Sequence, residues 1–182
     1  MDILAHGLWA GVAAQAVRRR HRVIHVRFAV AWGIAPDLLA FGALFVVLLA
    51  GLAQGELAWA QLADYESMAR TALNGHPLLQ ISSALYKLGH SALIFATVFG
   101  AVWLAHGRPH WEMVAWGLHI LLDIPTHARS FYPTPVLWPL ADWTVDGVSW
   151  TAPWVFALNY AALALAWGWL WFDRKRPAES GG

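Results

Sequence analysis

The chain has 182 residues, 12 basic and 11 acidic, so 13% is charged against 59% hydrophobic. A soluble domain is about 25% charged and roughly 45–50% apolar, so a water-soluble globule and a disordered chain are excluded, and the absence of cysteine excludes a disulfide framework. A net charge of +1 leaves no basic surplus for nucleic acid. What remains is an integral membrane protein, one helical domain over residues 1–176 followed by a disordered tail, 177–182.

In chain order, residues 3–17 form the first apolar run, at about 22 Å as helix short for a hydrocarbon core of about 30 Å. No basic residue precedes it, so it does not read as a secretory signal. Arg18, Arg19, Arg20, Arg22 and Arg27 follow. Residues 28–53 are apolar apart from Asp37, and residues 54–87 read as short interfacial helices broken at Asn74-Gly75-His76-Pro77, with Gln61, Asp64, Glu66, Ser67 and Arg70 too polar for a span. Residues 88–105 are interrupted by His90, and residues 112–128 carry His119, Asp123 and His127. Residues 129–151 hold Pro133, Pro135, Trp138, Pro139, Trp143 and Trp150, the composition of an interfacial aromatic belt. Residues 152–172 have no charge. The fold class is therefore all-α, a membrane helical bundle of about five membrane helices plus short interfacial helices. Cytoplasmic placement of the 18–27 arginines, Arg108 and Arg174-Lys175-Arg176 puts the N-terminus outside and the C-terminus inside.

Ionisable groups at membrane depth mark sites by default, because burying them in hydrocarbon is costly. Here they are His6, Asp37, His90, His119, Asp123 and His127. His119 and Asp123, four apart, share a helix face, and His127 continues it beyond Pro125. At about 1.5 Å per residue from each segment's cytoplasmic end, the six fall roughly 12–24 Å up, one slab between midplane and outer face. Imidazole and carboxylate donors from several helices suit zinc or another divalent metal, which would offset the burial of Asp37 and Asp123 where no Lys or Arg reaches. The blander readings are a core histidine bonded to a carbonyl for His6 or His90, a helix-surface hydrogen bond for His119 and Asp123, and a kink or cap for Pro36-Asp37. His21, His25, His106 and His110 read as solvated or headgroup-facing, His76 as a loop residue, and Asp142 and Asp146 as solvated charges.

His6 followed by Gly7, Pro36-Asp37, Gly89-His90-Ser91, His119-x3-Asp123 with Thr126, and Pro135-Val136-Leu137-Trp138-Pro139 occur in this order along nearly the whole chain. The series resembles the membrane-bound metal-dependent hydrolases of bacterial inner membranes, a family distantly similar to zinc-dependent phospholipase C. The resemblance implies a multi-pass inner-membrane protein in which His6, Asp37, His90, His119 and Asp123 are metal ligands. Leu39 stands where the family often has a second acid, and Leu85-Tyr86-Lys87 where it often has His-Arg-Gly. Both departures remove possible ligands or a phosphate-binding arginine.

The expected function is metal-assisted hydrolysis of a lipid-like substrate, a phosphoester among the options, with Asp37 as ligand or as the general base on a metal-activated water. The partners are then membrane lipid and a lipid-like or small-molecule substrate. Two alternatives remain. One is a proton or ion transporter, against which stand the apolar cytoplasmic halves (Ala29, Val30, Ala31, Trp32; Ala101, Val102, Trp103, Leu104). The other is a non-catalytic membrane subunit with a structural metal, favoured by the two departures.

Overall fold

A computed structural model describes residues 1–20, 24–56, 58, 77–130 and 132–174. The polar run 59–76, His21, His76 and the tail 177–182 lie outside them. The described residues form α1 (Ile3–Arg20), α2 (Val26–Ala53), α3 (Pro77–Gly89), α4 (Ala92–His106), a single 3-10 turn (Trp111–Met113), α5 (Val114–Thr126) and α6 (Pro153–Arg174), with no strand among them.

α2 is the centre of the bundle. Its buried stripe runs Ala29, Gly33, Pro36, Asp37, Ala40, Leu44, Leu48 and Gly51, spaced three or four apart, one face of a helix. α1, α3 and α5 pack against it. α1 starts on Asp2, whose Oδ1 accepts the Ala5 N–H at 3.0 Å, satisfying one of the free donors of the first turn. Gly7, Ala10, Gly11 and Ala14 then recur one turn apart, a stripe of small residues that lets backbones approach. The approach is close: a Cβ on Gly33 would lie 2.6 Å from Ala10 Cβ, and one on Gly7 would lie 3.0 Å from Ile34 Cγ2. On its other side α1 meets α6, where Trp167 lies over Gly11 and Trp9 Nε1 donates to Asn159 Oδ1 at 2.9 Å.

α3 and α4 are joined at His90-Ser91 with a bend of 60°. Ser91 is the reason for the elbow. It is extended, its Oγ accepts the Ile94 N–H at 3.2 Å to cap α4, and the same hydroxyl donates to the Trp138 carbonyl at 2.6 Å. α4 ends on Gly107, whose left-handed φ of 66° suits a residue without Cβ. The described residues of 129–151 form no helix, and 147–150 pair with the end of α5. The N–H groups of Gly147, Val148 and Trp150 donate to the carbonyls of His127, Pro125 and Thr126 at 3.0, 2.9 and 3.0 Å. They satisfy acceptors that a helix end leaves free.

Beside an apolar core that includes Leu44, Ile120 and Leu170, the interior holds many polar groups and the surface many apolar ones. His6, Asp37, Ser82, His90, Ser91, His119, Asp123, His127 and Thr134 are buried, while Val46, Leu49, Leu104, Leu158, Leu165 and Phe172 are exposed. Apolar surface on this scale fits a lipid surround. α2 and α6 are long and apolar enough to cross a membrane, and the bent α3–α4 pair makes a third span if counted as one. α5 has 13 residues, about 20 Å, and α1 has 18, about 27 Å, ending in three arginines. Neither passes as a span by length and composition alone, and both lie against α2. Residues 54–87, read as interfacial from the sequence, differ in their described part: Pro77–Gly89 packs on α2 because Ser82, Tyr86 and Gly89 give it a stripe to bury.

Candidate metal centre

Asp37, His90, His119, Asp123 and His6 come from three helices, α1, α2 and α5, and the α3–α4 elbow, and their side chains meet. Small residues set the geometry. Gly33 brings α1 onto α2, and Gly89 brings the elbow onto Pro36, where a Cβ would lie 3.3 Å from Pro36 Cα. Pro36 sits inside α2 and has no N–H, so the ladder is interrupted there. On the turn before it, the Gly33 carbonyl accepts a hydrogen bond from His119 Nδ1 at 2.7 Å. His90 Nδ1 likewise donates to the Tyr86 carbonyl at 3.0 Å.

These two bonds fix the chemistry. A carbonyl only accepts, so Nδ1 carries the proton in both rings and each neutral imidazole presents a lone pair at Nε2. Those two Nε2 atoms lie 3.0 Å apart. His119 Nε2 is 3.2 Å from Asp123 Oδ2 and 3.8 Å from Asp37 Oδ1. His90 Nε2 is 3.4 Å from Asp37 Oδ1 and 3.4 Å from Asp123 Oδ2. His6 Nε2 is 3.0 Å from Asp123 Oδ1 and 3.9 Å from Asp37 Oδ2. Its ring stacks on His119 with centroids 3.6 Å apart. Lone pairs face lone pairs and carboxylates, with His6 Nε2, Asp37 Oδ2 and Asp123 Oδ2 buried and without a hydrogen-bond partner. Such a set could hold a cation.

The spacing suits one. Zinc bonds of about 2.0–2.2 Å to N and O put neighbouring donors roughly 3–3.5 Å apart. Two buried triads, His6–His119–Asp123 and Asp37–His90–His119, each bring three donor atoms within 4.8 Å of one another. Five of the six residues singled out from the sequence belong to them. His127 is placed differently. It caps α5 in an extended conformation, and its Nδ1 faces the Asp123 carbonyl at 3.2 Å and Asp123 Oδ1 at 3.3 Å. It is thus a partner of Asp123 rather than a member of either triad. Among the other histidines, His25 precedes α2, His106 ends α4 and His110 precedes the 3-10 turn, and none joins the cluster. Asp146 accepts the Arg129 N–H at 2.8 Å in the outer segment.

Three contributors are not evident from the sequence. The amino group of Met1 reaches Asp123 Oδ1, supplying the basic partner that no Lys or Arg supplies. The Gly33 carbonyl orients His119. Tyr86 stacks on His90 with centroids 3.8 Å apart and donates its hydroxyl to the Tyr132 carbonyl at 2.7 Å. Tyr86 alone left a signal: it lies four residues before His90, hence on the same helix face. No family model, characterised protein or solved structure matches the chain.

Proposed function

We propose that the protein is a membrane-embedded, metal-dependent hydrolase acting on a lipid-like substrate, in keeping with the resemblance to membrane-bound metal-dependent hydrolases. The observation that carries this reading is the 3.0 Å approach of two imidazole Nε2 lone pairs beside two buried carboxylates, Asp37 and Asp123. Zinc is the proposed metal, because three imidazoles and two carboxylates match its donor preferences. A bound zinc supplies hydroxide near neutral pH by acidifying its water.

The chain's own residues do the rest. The Gly33 and Tyr86 carbonyls lock two rings in the tautomer that presents Nε2, as backbone acceptors do behind ligating histidines. Asp37 turns Oδ1 toward His90 and His119 and keeps Oδ2 without a hydrogen-bond partner, so Oδ2 is the base that takes a proton from the attacking water. The bundle of five membrane helices, with α1 and α5 spanning in company with α2, the N-terminus outside and the C-terminus cytoplasmic, follows from the distribution of arginine.

Metal analysis of the purified protein, with hydrolysis of lipid phosphoesters measured with and without chelator, tests the proposal. The expected result is stoichiometric metal, lost in His119→Ala and Asp123→Ala together with at least 100-fold of the activity. Metal-free protein that hydrolyses equally well would sink it. The transporter reading finds little support in the space between α1, α2 and α5, lined by Ala10, Ala14, Val17, Ala29 and Leu118 with Glu112 its one ionisable group.

A further inference from the structure

A cavity of about 290 Å³ lies beside Met1, Asp2 and Thr126, and two larger ones flank the bundle. One, of about 520 Å³, lies toward the 3-10 turn and is apolar but for Glu112. The other, of about 410 Å³, lies between α3 and the 130–144 segment, with Tyr86 and Tyr132 in its wall together with Ser83, Thr144, Lys87 and Asp142. His6, His90, His119 and Asp123 are at most 1% exposed, whereas Asp37 and His127 retain 7% each.

What stands over Asp37 and His127 is an aromatic collar. Phe41 lies one turn beyond Asp37 on α2, and Tyr86 one turn before His90 on α3. Phe41, Tyr86 and Tyr132 meet pairwise, with centroids 5.8, 5.1 and 5.0 Å apart, and Tyr86 lies 6.2 Å from His127. The sequence of layers is cluster, collar, then a cavity whose charged side chains are one cation, Lys87, and one acid, Asp142. Both are exposed, as is usual for groups that meet a ligand at a mouth. Equal and opposite charge beside hydroxyls complements a headgroup with both an anion and a cation, and aromatic faces attract a cation.

We infer that the α3/130–144 cavity is the entry and headgroup site for the cluster, that Phe41, Tyr86 and Tyr132 form its inner gate, and that it takes a zwitterionic phosphoester headgroup. The substrate class rests on the hydrolase reading; the route does not. The phosphate sits by Lys87, the ammonium by Asp142 and the aromatic faces, and the apolar remainder of the ligand leaves toward lipid.

The absence of cysteine makes the route testable without metal or turnover. In Asp37→Cys, a small charged thiol reagent added to detergent-solubilised protein should label the single cysteine. Adding Ser83→Trp, which fills the cavity from a half-buried position, should slow labelling at least tenfold, and Val17→Trp, from an exposed position on the wall of the cavity by the 3-10 turn, should leave it unchanged. Labelling indifferent to Ser83→Trp, or slowed by Val17→Trp instead, overturns the route. A short-chain phosphatidylcholine below its micellar concentration should protect the cysteine and inorganic phosphate should not, with protection weakened at least fivefold by Lys87→Ala. Equal protection by phosphate, or protection untouched by Lys87→Ala, overturns the headgroup assignment. Absence of hydrolysis in the wild-type chain would count against the hydrolase reading and leave these labelling results standing.

Discussion

His90 and His119 each spend one ring nitrogen on a backbone carbonyl and turn the other toward the same point. The cost of that arrangement without a cation makes acid the natural antagonist of metal binding, because protons compete for the same lone pairs. Metal occupancy measured against pH should therefore fall on acidification and recover on return to neutrality. Gly33 is as demanding as any ligand. Gly33→Ala puts a Cβ 2.6 Å from Ala10 Cβ and 3.2 Å from the His6 carbonyl. Overpacking of this kind costs roughly 1–3 kcal/mol, which denaturant titration in detergent should show, with weaker metal binding because His6 moves with α1. The spacing of His119 and Asp123 makes their shared face legible from sequence, and the apolar background makes His6, Asp37 and His90 conspicuous. The Met1 amino group and the Gly33 carbonyl are not legible: main-chain groups have no sequence signature, and their role arises only once α1, α2 and α5 are packed.

The elements act as mounts for these residues. Pro36 interrupts α2 beside the carbonyl that His119 uses. Pro36→Ala should restore the ladder, loosen His119 and weaken metal affinity by roughly 10–100-fold, the scale of lost second-shell support, read by competition with a chelator. Ser91 serves two elements with one hydroxyl. Ser91→Ala removes an N-cap worth about 1 kcal/mol and frees the Trp138 carbonyl, so thermal unfolding should come earlier. Gly147 admits no side chain, since a Cβ would lie 2.5 Å from the Pro125 carbonyl oxygen. Gly147→Ala should detach the 147–150 segment from α5 and speed proteolysis there. Apolar runs mark α2 and α6 plainly in the sequence. The position of α3 is less legible, because its stripe of Ser82, Tyr86 and Gly89 is polar and small, recognisable as buried only beside α2.

At the scale of the whole molecule, a cluster of ionisable groups is buried within an apolar bundle with a greasy exterior, so stability and site occupancy are linked. A ligand present at 100 times its Kd adds about 2.7 kcal/mol to the folded state. Zinc addition should accordingly raise the thermal midpoint of the wild type and leave that of Asp123→Ala unchanged, by a fluorescence-detected melt. α4 stands apart in this molecule. It has no buried residue and meets α5 along one edge, where Phe95 lies 5.4 Å from Trp116. Its inner end is the elbow that carries His90. In a bilayer, a rod hinged at a residue of the His/Asp cluster is a lever, and its load is the thickness of the bilayer. Reconstitution in short-chain and long-chain lipids should thus give different metal release rates from one and the same polypeptide.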